Sequence, residues 1–190
     1  MDTMKKTLAL LACVLALALG VSAQQQISFA NLPLVSTPTL LPSGYSQLNW
    51  SNFFYVDPLE WSGAGPGYKY GPDHGDVAFI GEQYCLYDPL MIGRVTLPLA
   101  CFGTISSAGG PTGFQPVSAT AVGGFGPTSV TVTAYNNGKY VGSSVYNLTT
   151  APQNISFPAS WGTITEMVIE TEHRGENFVL FNLNVYILGG

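Results

Sequence analysis

Two runs dense in β-branched and aromatic residues, 130–135 (Val-Thr-Val-Thr-Ala-Tyr) and 139–146 (Lys-Tyr-Val-Gly-Ser-Ser-Val-Tyr), flank Asn136-Asn137-Gly138. A type I′ turn needs positive φ at both central residues, which Asn and Gly tolerate, so this arrangement predicts an antiparallel hairpin. Further strand candidates keep the same rhythm at 27–29, 52–56, 77–80, 95–97, 102–106, 117–122, 155–157, 164–170 and 178–187, separated by Gly- and Pro-rich turns. Within 167–172, polar residues fall on alternate positions near the end, as in a strand with one wet face. No window beyond the N-terminal segment has a helical period. Short strands punctuated by turns predict an all-β fold, a single β-sandwich of jelly-roll or galactose-binding-like topology. The Pro-, Thr-, Ser- and Leu-rich stretch 33–42 is expected to run as a strap along it.

The N-terminus has the grammar of an export signal. Lys5 and Lys6 precede an unbroken apolar run at 8–19, Gly20 interrupts it, and Val21-Ser22-Ala23 offers small or modest residues to a signal peptidase. The run is shorter than the roughly 20 apolar residues that span a bilayer core. Residues 1–23 are therefore expected to be a cleaved signal peptide and residues 24–190 a secreted, extracellular domain, large enough to bury its own core. Eleven Asp and Glu against six Lys and Arg give the chain a net charge of −5. The balance becomes more acidic once Lys5 and Lys6 leave. Such a surface repels phosphate backbones and anionic lipids, which argues against nucleic-acid and membrane partners. Cys13 lies in the signal, leaving Cys85 and Cys101. In an oxidising compartment these two are expected to form one disulfide, closing a loop of about 16 residues for about 3 kcal/mol in the chain-entropy model. A catalytic thiol would need an activating His, and neither His74 nor His173 is close to a cysteine in sequence.

A resemblance covers most of the chain. Ile27-Ser28-Phe29-Ala30-Asn31-Leu32-Pro33 is followed by Pro42-Ser43-Gly44-Tyr45-Ser46-Gln47-Leu48-Asn49-Trp50-Ser51-Asn52-Phe53, then Asp76-Val77-Ala78-Phe79 and Phe178-Val179-Leu180-Phe181-Asn182-Leu183-Asn184-Val185. This resembles a family of secreted β-sandwich proteins of fungi and bacteria, mostly uncharacterised. Its pattern runs Ile-Thr-Phe-Asp-Asp-Leu-Pro, Pro-x-Gly-Tyr-x-x-Leu-x-Trp-x-Asn-Phe, Asn-Val-Ala-Phe and Phe-x-x-Asp-Asn-Leu-x-Val. The resemblance implies a fold like that of carbohydrate-binding jelly rolls. Where that family has acidic residues, this chain has Ala30, Asn31 and Phe181. Any Ca²⁺ site those carboxylates form in relatives would here lack its hard oxygen ligands, so no metal is expected.

The residues available for chemistry are few. His74 lies among carboxylates in Pro72-Asp73-His74-Gly75-Asp76, a composition that equally suits a polar turn. No nucleophile elbow, zinc-binding helix or phosphate loop is present, so no enzymatic activity and no cofactor are expected. Glu166, Glu170 and Glu172 share strand parity without thereby forming a cleft. Sugar binding is the sharper expectation, because aromatic rings stack on pyranose faces while Asn, Asp and Gln bond the hydroxyls. The Gly-rich loop 57–76 offers Trp61, Tyr68 and Tyr70 with Asp73, His74 and Asp76 beside them, whereas Trp50 and Phe53 are expected in the core. The expected partner is an extracellular glycan or cell-wall polysaccharide. Recognition of a host protein is the alternative, and a hydrolase built around His74 has less behind it. Asn49, Asn147 and Asn154 each open an N-glycosylation triplet, with Asn147 and Asn154 near strand ends.

Overall fold

The structure, a computed structural model, describes residues 23–70, 76–80, 85–87, 98–108, 113–172 and 177–188, with backbone alone for 85–87 and 98–100. The expected signal peptide therefore lies outside the described residues, Ala23 excepted, as does the strand candidate 95–97. Thirteen strands are present among the described residues: β1 (Gln24–Ser28), β2 (Thr39–Leu40), β3 (Leu48–Ser51), β4 (Phe53–Val56), β5 (Val77–Ile80), β6 (Cys85–Tyr87), β7 (Pro98–Ser107), β8 (Phe114–Gly123), β9 (Thr128–Asn136), β10 (Lys139–Leu148), β11 (Gln153–Ser156), β12 (Glu166–Thr171) and β13 (Phe178–Ile187). Helix is confined there to short 3-10 turns at Tyr45–Gln47, Tyr68–Tyr70 and Ala159–Trp161. No described helix is long and apolar enough to cross a membrane.

The strands form two antiparallel sheets packed as a β-sandwich that resembles a jelly roll. The seven-stranded sheet runs β11-β8-β13-β5-β4-β2, with β1 also on β13; the six-stranded sheet runs β10-β9-β12-β7-β3, with β6 also on β7. The predicted hairpin is β9–β10, and Asn137 (φ 50°) and Gly138 (φ 73°) hold the positive dihedrals that the turn demands. The strap at 33–42 contributes β2, which pairs with the outer side of β4.

Between the sheets lies the main core, including Ile27, Phe29, Leu48, Trp50, Phe53, Ile80, Ile105, Phe114 and Met167. The Gly-Tyr-x-x-Leu-x-Trp-x-Asn-Phe motif belongs to this core. Gly44 takes φ 78°, Leu48 and Phe53 are fully buried, and Trp50 packs edge-on against Phe29 and Phe53. Asn52 turns the chain from β3 into β4 at φ 58°, and its Nδ2 donates to the Phe102 carbonyl at 2.7 Å. Each motif position thus has a packing or turning role.

The disulfide expectation requires correction. No Sγ–Sγ contact between Cys85 and Cys101 is described, because the Cys85 side chain falls outside the described residues. What the backbone shows is that Cys85 and Cys101 stand opposite each other on β6 and β7. Cys101 is buried. A Cys85–Cys101 loop staple is accordingly not counted among the features that hold this fold together.

Candidate functional site

The two outer faces of the sandwich differ, and that difference decides where a ligand could sit. On the seven-stranded sheet, Val56, Val77, Phe79, Val122, Val179 and Phe181 form a second apolar cluster facing away from the main core. The loop after β4 folds over them. Asp57 starts it: its Oδ1 accepts the Leu59 N–H at 2.8 Å, and its carbonyl accepts the Glu60 and Trp61 N–H groups. Tyr68 is the anchor. It is fully buried, its ring meets Trp61, Phe79 and Phe125 at centroid distances of 5.2, 5.4 and 5.5 Å, and its hydroxyl accepts the Asn177 Nδ2–H at 2.9 Å.

These contacts reassign the expected sugar-binding loop. Trp61 is half-buried and stacks on Phe79 at 5.6 Å and 12°. Tyr68 is core, and Tyr70 alone is well exposed, at 54%. The three rings do not line one exposed surface, and the loop acts as a third layer over the apolar cluster of β4, β5, β8 and β13. Asp73 and His74 lie outside the described residues.

Asp76 is placed by β5, directly before Val77, and is only 4% exposed. Neither of its carboxylate oxygens has a hydrogen-bond partner. Burial, and secondarily the charge of Asp57, push its pKa up from 3.8 to about 6. A carboxylate whose folded pKa is raised imposes no penalty below pH 3.8, where it is neutral folded and unfolded alike. The penalty grows as pH rises and is complete above about pH 6. Asp76→Asn carries no such charge. Two pK units correspond to about 3 kcal/mol; discounted for screening by water at the sandwich rim, about 1–2 kcal/mol remains. In buffer containing EDTA, the stability difference between Asp76→Asn and wild type should move in favour of the wild type by that amount between pH 7.5 and pH 4. Urea melts at the two pH values measure it, and a pH-independent difference would show that Asp76 ionises normally.

The opposite face is open. In β9 and β12 burial alternates strictly, with Val130, Val132, Ala134, Met167 and Ile169 inward and Ser129, Thr131, Thr133, Tyr135, Glu166, Val168 and Glu170 outward and half-exposed. Cross-strand register orders these side chains into rows. One row runs Tyr140–Tyr135–Glu166–Ser106–Asn49 across five strands, and the next runs Ser143–Thr133–Val168–Thr104–Ser51. Strands lie about 4.8 Å apart, so each row presents a side chain at roughly sugar-ring spacing. Tyr135 and Tyr140 meet edge-on at 6.3 Å, and Tyr140 is 65% exposed. Thr133 and Ser143 share a hydrogen bond at 3.2 Å, and Asn49 Oδ1 accepts from Ser43 at 3.0 Å.

This platform escaped the sequence reading, although strict alternation in 129–135 was its signal. Asn147 is exposed and stands opposite Ser129 at the far end of the same face, Asn154 is exposed on β11, and Asn49 is half-buried. Catalysis finds little support here. Glu166 and Glu170 are four residues apart on one strand, about 13 Å along it, whereas glycosidase carboxylates stand about 5–9.5 Å apart. Among the described residues, no group of three or more His, Cys, Asp or Glu could hold a metal.

No protein-family model matches the chain, so the family suggested by the motif is not shown, and no curated protein matches its sequence. Its fold is distantly similar to several solved structures. A DUF4465 family protein from Bacteroides ovatus is 10% identical over 87% of this chain and 99% of that one, with a TM-score of 0.49. TmCBM61 in complex with β-1,4-galactotriose is 11% identical over 78% and 95%, with a TM-score of 0.40. The family 32 CBM from C. perfringens NanJ in complex with galactose is 11% identical over 84% and 99%, with a TM-score of 0.35. The likeness is therefore distant, spread over several carbohydrate-binding modules rather than one family, and too slight to argue function.

Proposed function

We propose that this chain is a non-enzymatic extracellular glycan-binding protein, and that its sugar lies across the open face of the six-stranded sheet. The observation that carries the reading is the row of side chains on that face. The Tyr68 layer covers the β4–β5 part of the seven-stranded sheet, whereas the six-stranded sheet presents an aromatic pair in line with Glu166, Ser106 and Asn49. Tyr140 and Tyr135 supply apolar faces for pyranose rings, and the hydroxyl, amide and carboxylate groups along the rows pair with sugar hydroxyls. A net charge of −5 and the two glutamates on the face favour neutral polysaccharides over acidic ones.

The alternative, a protein partner, draws on β10. It is an edge strand of its sheet, and Tyr140 (65%) and Val145 (62%) are exposed along it. Affinity electrophoresis against a panel of neutral polysaccharides, together with a glycan array, separates the two readings. Tyr140→Ala and Tyr135→Ala should each weaken sugar binding about tenfold, the equivalent of about 1.4 kcal/mol, with unchanged circular dichroism. Failure of the wild type to bind any glycan, or unchanged binding by both variants, would reject the open face as a sugar site.

A further inference from the structure

We propose that two copies of this chain associate edge to edge through β10, the two strands running antiparallel across a two-fold axis at Val145. β10 is the last strand of the six-stranded sheet and pairs on one side only, with β9. Among the described residues, one bond reaches its main chain from outside that pair: Gln153 Nε2 donates to the Asn147 carbonyl at 3.4 Å. The carbonyl of Ser129, opposite Asn147, accepts instead from the Glu172 N–H on the β12 side. Asn147↔Ser129 is therefore a pair whose main-chain groups point apart. By the alternation of an antiparallel ladder, so are Val145↔Thr131 and Ser143↔Thr133. Ser143, Val145 and Asn147 thus direct N–H and C=O groups along the outer edge.

Charge and symmetry fit a second copy to this edge. A net charge of −5 makes copies of the chain repel, yet between Arg94 and Glu166 the only charged residue is Lys139. That stretch contains β10 and β11, the end strands of the two sheets, and Tyr146 ties them by donating from its hydroxyl to the Ser156 carbonyl at 2.9 Å. Sheets normally blunt a long edge with charges, prolines or bulges. The bulge at Tyr140/Gly142 interrupts only the start of β10, and 143–147 keeps a regular register with no Pro and no charge. Ser143-Ser144-Val145-Tyr146-Asn147 is also self-complementary. A two-fold at Val145 sets Ser143 against the partner's Asn147, and Val145, 62% exposed, against the partner's Val145. Each of these pairs exchanges two main-chain hydrogen bonds.

The size of the contact sets its strength. At about 3.4 Å per residue the ten residues of β10 span about 34 Å, and stacked sheets lie about 10 Å apart. Such a wall gives each partner less than the roughly 800 Å² of a standard interface, so the dimer is weak and forms with concentration. It joins the outer faces of two six-stranded sheets into one continuous surface, and it holds whether or not that surface binds sugar.

Analytical ultracentrifugation from low micromolar to near-millimolar concentration tests the dimer. Protein made without N-glycans is used, since a glycan on Asn147 would stand in the contact. The wild type should pass from monomer to dimer over this range. Val145→Lys sets two like charges face to face at the axis and should stay monomeric, with unchanged circular dichroism. Two cysteine variants test the register. Opposed Cα atoms of a bonded antiparallel pair lie about 5.5 Å apart, within the span of a disulfide, so Val145→Cys should cross-link to a dimer on oxidation. Ser143 and the partner's Ser143 are offset along the strands by about 14 Å, so Ser143→Cys should run as a monomer on the same non-reducing gel. A wild type that stays monomeric throughout would overturn the dimer and leave the edge to a strand of a different chain. Dimerisation of Val145→Lys like the wild type, or equal cross-linking of both cysteine variants, would overturn it too.

Discussion

Tyr68→Ala is expected to destabilise the protein by about 3–5 kcal/mol, the range for truncating a large buried aromatic. Its ring is fully buried among Trp61, Phe79 and Phe125, so the cavity left behind is bounded by rings that cannot collapse far. The loss extends beyond packing, because Asn177 Nδ2 donates to the Tyr68 hydroxyl and would be left unsatisfied in the interior. Tyr68→Phe isolates that part and should cost about 1 kcal/mol. Tyr70→Ala, two residues along the same 3-10 turn and 54% exposed, should stay within about 0.5 kcal/mol of the wild type. Denaturant melts of the three variants rank them. A Tyr68→Ala protein of wild-type stability would mean that the loop does not pack as described, and it would restore the loop as a ligand-binding candidate.

The contrast between Tyr68 and Tyr140 shows how far the sequence could be read. A Gly-rich loop containing aromatic residues looks, by composition, like an exposed recognition loop. What composition misses is the surface beneath it. Val77-Ala78-Phe79-Ile80 and Phe178-Val179-Leu180-Phe181 are apolar at every position, with all eight residues buried. Strands apolar on both faces must be covered on both faces, so a third layer was implied by those two runs, and the adjoining loop was available to supply it. The strands at 129–135 and 166–171 alternate instead, and alternation is the mark of a face left to solvent.

Local signals were therefore sound wherever the physics is local. The Asn137-Gly138 turn and the bounds of β5 and β13 were legible because turn dihedrals and β-propensity act over a few residues. The row Tyr140–Tyr135–Glu166–Ser106–Asn49 and the Asp57–Asp76 pair were not. Each is assembled by register between strands distant in sequence, and no window of the chain contains it.

Gly67→Ala should lift the covering layer by a different route and cost about 2–3 kcal/mol. The Gly67 N–H donates to the Gly124 carbonyl at 2.9 Å, which brings the loop backbone against the end of β8. A Cβ on Gly67 would stand 2.1 Å from the Gly123 carbonyl oxygen. That oxygen belongs to backbone, so no rotamer change relieves the clash, and the loop must move away. Trp61 would then lose its stack on Phe79, and its fluorescence should shift to the red while Trp50 and Trp161, both 6% exposed, report the intact main core. The two substitutions should not add. Once Gly67→Ala has lifted the layer, Tyr68 has already lost most of its contacts, so the double variant should cost at least about 1 kcal/mol less than the sum of the single ones. Polysaccharide binding on the six-stranded sheet should survive both, because that face lies on the other side of the sandwich. Strict additivity would mean that Gly67 and Tyr68 hold separate structures, and loss of binding in step with the layer would move the sugar site back to the loop.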